Sequence, residues 1–155
     1  MYEMRRWDVG EHLRHIEESG CGLMYDDRGN PFPGIKGRHG VRGLKEDGSH
    51  IGGDFIAMQP GAKFPLHTHE GEHEIYFIQG RGFVRINGED IPVRAGHVIH
   101  IPGEYPHGVW VPDDAVGPLI FVAVGHPHHR VESLTRMRVV EDGAAIPERS
   151  TGTEG

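Results

Sequence analysis

The sequence predicts an all-β protein, and three observations carry that prediction. Its 24 glycines and 11 prolines in 155 residues exceed ordinary usage, and they are spread between short apolar runs instead of gathered in one block. About ten such runs recur at turn-bounded spacing from residue 41 onward, the pattern of a sandwich or barrel. Asn87-Gly88 stands between two of them, and this pair accepts the left-handed conformations that a tight type I′ hairpin turn requires. A chain of this length makes one domain whose core needs no staples, and the lack of an internal repeat excludes two barrels.

Taken in order, residues 1–20 hold the only helix candidate, with a weak apolar stripe of Trp7, His12 or Leu13, and Ile16, closed by Ser19-Gly20. Residues 21–40 are rich in glycine and proline (Asn30-Pro31-Phe32-Pro33-Gly34) and read as an irregular connector. Together residues 1–40 form an arm too poor in apolar residues to fold alone, expected to pack on the barrel or on a second subunit. Strands at 41–45 and 51–58 meet across Glu46-Asp47-Gly48-Ser49, a hairpin signal. Further strands follow at 63–69, 73–79, 82–86, 89–93, 97–101, 108–111 and 119–124, with a weaker one at 136–140. The barrel thus spans 41–140, and the Gly/Glu/Thr-rich segment 141–155 is expected to be a disordered tail.

Composition narrows the partners. A formal net charge of −7, with no basic stripe, argues against nucleic acid and against an anionic membrane. No apolar run approaches the roughly 18–20 residues needed to span a bilayer, and the charged N-terminus is not a signal peptide. A single cysteine, Cys21, allows no intrachain disulfide, so a reducing cytoplasm is the expected compartment.

Chemistry concentrates in His67-Thr68-His69-Glu70-Gly71-Glu72-His73-Glu74, with three histidines in eight residues. In a strand, residues i and i+2 share a face roughly 6–7 Å apart, so His67 and His69 can address one ion while Gly71 lets the chain turn back. On the returning strand His73, Ile75, Phe77 and Gln79 share one face, and Glu74, Tyr76 and Ile78 the other. Each face opens on a good ligand, which leaves the third position to His73 or Glu74. His107 follows at the end of a Gly/Pro-punctuated strand. Imidazole-rich sites suit a divalent iron, nickel, copper or zinc ion, with manganese less favoured.

The spacing Gly61-(five residues)-His67-Thr68-His69, closed by Gly80, resembles the first cupin motif, and Gly96-(five residues)-Pro102-(four residues)-His107 resembles the second. The resemblance covers residues 41–125. In that family the third ligand usually stands seven positions before the closing glycine. Counting back from Gly80 gives His73, where the family commonly has glutamate. The resemblance therefore implies an all-histidine set of His67, His69, His73 and His107, a jelly-roll β-barrel with the ion inside, and a homodimer. Four neutral imidazoles would leave a divalent ion its full charge, which favours anionic, chelating small-molecule substrates.

Glu74, beside this set, has the functional reading of a general base. Tyr76 and Phe77 read as core packing, Gln79 as a substrate hydrogen-bonding candidate, and His97 and His100 as strand histidines without a role. His126, His128 and His129 read as a surface loop, and Trp110 as packing at the barrel mouth. All-histidine cupin sites are similar to those used for O₂ chemistry, so the expected activity is a dioxygenase-type oxidation of a small oxygenated or thiol compound. The alternatives are an isomerase, lyase or cyclase in which the ion polarises a carbonyl while Glu74 moves a proton, and a non-catalytic barrel that binds a small ligand.

Overall fold

Alternation of inward and outward side chains builds the fold. In β4 (His50–Met58) the inward positions are Gly52, Asp54, Ile56 and Met58, and in β11 (Leu119–His126) they are Leu119, Phe121, Ala123 and Gly125. These faces are half of a two-sheet core that also takes Ile75 and Phe77 from β6 (Glu72–Gln79), with Phe77 tilted against Phe121 at 5.5 Å between ring centroids. The computed structural model describes residues 6–140, so the tail expected over 141–155 lies outside the described residues.

The first sheet runs β1 (Cys21–Tyr25), β2 (Pro31–Arg38), β4, β11, β6, β9 (Val98–Ile101), with β3 (Arg42–Leu44) paired to one end of β4. The second runs β12 (Arg138–Val139), β5 (Lys63–Thr68), β10 (His107–Trp110), β7 (Arg81–Ile86), β8 (Glu89–Arg94). Every neighbouring pair is antiparallel, and the two sheets close as an all-β jelly-roll barrel. The hairpin expected at residues 46–49 joins β3 to β4, pairing Leu44 with His50. Asn87 and Gly88 sit at φ 54° and 74° between Ile86 and Glu89, both left-handed as a type I′ turn demands.

The arm differs from its sequence reading. Residues 21–38 are not an irregular connector but a hairpin, and β2 continues into the barrel sheet by pairing Ile35 with Met58 through Arg38 with Phe55. Phe32, Ile35 and Gly37 face inward, and a Cβ at Gly37 would come within 2.4 Å of Val131. Pro31 and Pro33 lack amide donors and Gly34 sits at φ 74°, which breaks the period-two pattern between Phe32 and Ile35 and hides the strand. The helix candidate shrinks to one turn, α1 (Val9–His12), capped by Asp8 Oδ1 accepting from the amides of Gly10 and Glu11, followed by a 3₁₀ turn at Ile16–Glu18. The expected stripe does not enter the core, since Trp7 and Leu13 are 65% and 64% exposed and Ile16 is only half-buried. A single turn of helix without a buried face gains little beyond its cap. Tyr76 also differs, standing 42% exposed on the outer face of β6 instead of in the core.

If the hairpin belongs to the core, Ile35→Ala should cost about 2–5 kcal/mol of unfolding free energy, as for other fully buried isoleucines. Urea unfolding followed by tryptophan fluorescence measures it, and a loss below about 0.5 kcal/mol would mean the hairpin is a detached arm.

Candidate metal centre

The site forms at one end of the barrel, where β5, β6 and β10 begin or end. His107, first residue of β10, pairs directly with His67 on β5. The same ladder shifts register between His107 and Val109, so two residues on β10 span three on β5, from Phe64 to His67. That bulge at Pro65-Leu66 turns both Phe64 and His67 inward, although simple alternation would oppose them. His69 lies just past β5 in a turn closed by Gly71 at φ 77°, where a Cβ would come 2.2 Å from the His126 carbonyl oxygen. Only glycine fits there.

His67, His69 and His107 are all buried, and one nitrogen from each lies within 4.8 Å of the others. Their Nδ1 atoms face backbone carbonyls, His67 to Pro65 at 2.8 Å, His107 to Tyr105 at 2.8 Å and His69 to Gly71 at 3.3 Å. A carbonyl only accepts, so each Nδ1 carries the proton and each Nε2 presents a lone pair to the cavity. Nε2 of His69 and of His107 are 3.2 Å apart. Two lone pairs at that separation repel unless they share a cation, and two nitrogens about 2.1 Å from one ion at angles of 90–109° are about 3.0–3.4 Å apart. The donor set therefore fits a divalent transition ion.

Burial keeps these groups neutral. It pushes His67 and His69 from 6.5 down to about 4, and His107 and His73 well below their ordinary value, with neighbouring imidazoles adding to the effect for His67, His73 and His107. The Arg136 guanidinium lowers His67, His69 and His73 further.

His73 lines the same cavity and stacks on His69 with ring centroids 3.8 Å apart, but its nitrogens stand outside the three-nitrogen group. Its strand partner Gly125 leaves it room, since a Cβ there would approach His73 Nε2 to 3.3 Å. Glu74 is not brought to the imidazoles. It points to the opposite face of β6, where Tyr76 Oη donates to its Oε2 at 3.5 Å. Gln79 is exposed, His97 Nδ1 accepts from the Arg94 amide at 2.9 Å, and His100 faces Glu72 at 3.9 Å. Trp110 stacks on Phe83 at 4.3 Å and donates to Asp90.

The inner cavity holds about 30 Å³ of free space and is walled by Met24, Ile56, Phe64, Ile75, Val109, Phe121, Ala123 and Met137, with the four histidines and Arg136 as its polar lining. No carboxylate lines it among the described residues. An outer cleft of about 520 Å³, bordered by Asp27, Glu70, Glu104 and Arg138, shares His69 and Met137 with it.

Sequence reasoning missed the group behind this wall. His128, expected on a surface loop, is 5% exposed, and its Nε2 meets Asp54 Oδ2 at 2.7 Å. Asp54 also accepts from Arg136 Nη1 at 3.2 Å, and Arg42 Nε donates to His128 Nδ1 at 2.8 Å. Burial acts to raise the Asp54 carboxyl, but the His128 hydrogen bond and the Arg136 charge outweigh it and hold it below the ordinary range. The available signal was Asp54 itself, a carboxylate at an inward position of β4 between Gly52 and Ile56.

The neutral imidazoles set a pH dependence. In the folded chain His67 and His69 titrate near 4 against 6.5 unfolded, so the unfolded chain takes up protons that the folded chain refuses. Their stability contribution is complete above 6.5 and is lost as pH falls toward 4. Each contributes a slope of about 1.4 kcal/mol per pH unit in that window. Thermal melts of chelator-treated protein should show the melting temperature dropping steadily across it, and a flat profile would count against buried neutral imidazoles.

Residues 54–125 match the Cupin domain family. Over 55 residues the chain is 42% identical to an oxalate-binding protein of Thermotoga maritima, a match covering 35% of this chain and 46% of that protein, so it spans less than half of the relative's length. Among solved structures, the polyketide cyclase RemF of Streptomyces resistomycificus superposes with a TM-score of 0.64 at 20% identity, covering 90% of this chain and 87% of that one. A protein of Thermotoga maritima described as a predicted oxalate decarboxylase gives 0.58 at 26% identity, over 71% and 94% of the two chains. With the barrel, the matching domain and the clustered histidines of both motifs in place, the chain carries a cupin domain over residues 54–125.

Proposed function

We propose that the protein is a metal-dependent cupin enzyme of dioxygenase type. In this reading it holds one divalent transition ion through His67, His69, His107 and His73, and it acts on a small oxygenated molecule. The observation that supports this reading best is a buried, apolar-walled cavity reached by four imidazoles and by no carboxylate of the described residues. A redox-active ion with neutral ligands supplies open coordination positions for substrate and O₂ together. The chain's own part is to fix three Nε2 donors through their Nδ1–carbonyl bonds and to exclude bulk water with Ile75, Val109, Phe121 and Ala123. An isomerase or lyase that uses Glu74 as its base has less support, because that carboxylate faces out of the barrel. Ligand binding without turnover is the second reading, favoured by the 42% identity to an oxalate-binding protein.

Plasma mass spectrometry of the purified protein should find one iron, copper or nickel per chain, with O₂ uptake on diketone, catechol or thiol compounds. His67→Ala and His107→Ala should each lower metal content at least about tenfold, and His73→Ala should lower it as well. Glu74→Gln should leave it unchanged. Zinc without O₂ uptake would sink the dioxygenase reading, and loss of metal in Glu74→Gln but not in His73→Ala would overturn the ligand set.

A further inference from the structure

We infer that Met137 is a side-chain gate between the metal centre and the outer cleft, so that ligands reach the ion from that cleft and the bulk of residue 137 sets which of them pass. The inference rests on the proposed metal centre and adds how that centre is reached. The inner cavity, at about 30 Å³, has room for about two waters. Anything larger that meets the imidazoles must displace part of the wall. The outer cleft of about 520 Å³ is roomy, and it borders the inner cavity at two side chains, His69 and Met137. His69 is tied by its Nδ1 to the Gly71 carbonyl and belongs to the three-nitrogen group. Met137, 6% exposed, is an unbranched thioether with three rotatable bonds, so it can swing aside without breaking a hydrogen bond.

The rest of the wall is harder to move. Ile56, Ile75 and Val109 stand in strands paired on both sides, are stiff at χ1, and do not border the cleft. Phe64 also borders a smaller groove of about 140 Å³ on the outer side of the second sheet. It is paired with Val109 and packed edge-on against Phe32 at 5.2 Å, so that groove offers no comparable way in. The backbone on either side of Met137 is fixed. Arg136 Nη1 donates to Asp54 Oδ2 at 3.2 Å, Arg138 and Val139 pair with Thr68 and His67, and the Val140 amide donates to the Leu66 carbonyl at 2.9 Å. A segment pinned at both ends does not lift as a lid, which leaves the Met137 side chain as the moving part. The ligand that suits this arrangement has a metal-facing end of few heavy atoms and a remainder that stays in the cleft beside Thr68, Leu134 and Thr135.

The test uses the full chain loaded with divalent cobalt, whose visible absorption reports both loss of the ion and entry of a ligand. Phenanthroline, a rigid neutral chelator, should strip the cobalt about tenfold faster from Met137→Ala than from wild type, with cobalt content at the start unchanged. Phenylimidazole should bind Met137→Ala about tenfold more tightly, whereas cyanide, which has two heavy atoms, should change by less than about twofold. That dependence on ligand size is a readout that mere loosening of the fold would not move. Val109→Ala widens the same cavity away from the cleft and should leave stripping within about twofold of wild type. Leu134→Trp, at an exposed position of the cleft, should slow stripping about threefold or more, which keeps the test decisive if Met137→Ala fails to fold. Stripping at the wild-type rate in Met137→Ala or in Leu134→Trp overturns the inference and leaves the metal centre standing. So does a Val109→Ala protein stripped as fast as Met137→Ala. A wild type that takes up no cobalt overturns the metal reading, and this inference with it.

Discussion

The structure turns on the orientation of buried imidazoles by carbonyls of their own strands. His67 and His107 each donate from Nδ1 to the carbonyl two residues earlier, Pro65 and Tyr105, and His69 to the one two residues later, Gly71. Because each acceptor is local, each ring's direction is set by its own strand end. Closure then brings three lone pairs together. The Pro65 carbonyl serves this purpose because the β5 bulge turns it out of the ladder with β10. Burial completes the arrangement, since a charged imidazolium would have no lone pair to offer and would be expensive to place in an apolar wall.

The two sheets contribute unequally. His67, His69 and His107 come from the β5–β10 side, whereas His73 arrives from β6 in the opposite sheet, beside Gly125 of β11. The site is therefore a junction between sheets, and its geometry exists only in the closed barrel. The same junction is capped by the last described segment, where Arg138 and Val139 pair with Thr68 and His67 and carry Arg136 and Met137 to the cavity wall. The larger outer cleft, by contrast, is rimmed by polar and charged residues.

Much of this was legible in the sequence because it rests on short-range chemistry. Asn87-Gly88 names its own turn, and the spacing from Gly61 to His69 and from Gly96 to His107 pointed to the barrel and to the three histidines that cluster. Parity placed His73 and Glu74 on opposite faces but could not say which face was inward. Ile75 and Phe77, buried on the His73 side, decide it in the structure. The β1–β2 hairpin was hidden because its prolines and Gly34 erase the alternation by which strands are recognised. Phe64 and His67 share a face only through a bulge, which alternation alone does not predict.

The polar group of Arg42, Asp54, His128 and Arg136 was illegible for a different reason. Asp54 and Arg136 are 82 residues apart in sequence, and nothing local to either announces the other. Such a cluster is poorly explained by stability. Buried ion pairs seldom repay the desolvation of their members, and apolar residues of similar volume are often as stable or more so. An inward β4 position flanked by Gly52 and Ile56 would accept an aliphatic side chain, as Ile56 and Met58 show on the same face. The cost becomes intelligible if the cluster serves what lies beyond it. Asp54 and His128 hold one edge of the Arg136 guanidinium still, and Arg136 lines the inner cavity with the histidines. The cavity's neutral imidazoles and the Arg136 cation are then two parts of one electrostatic arrangement.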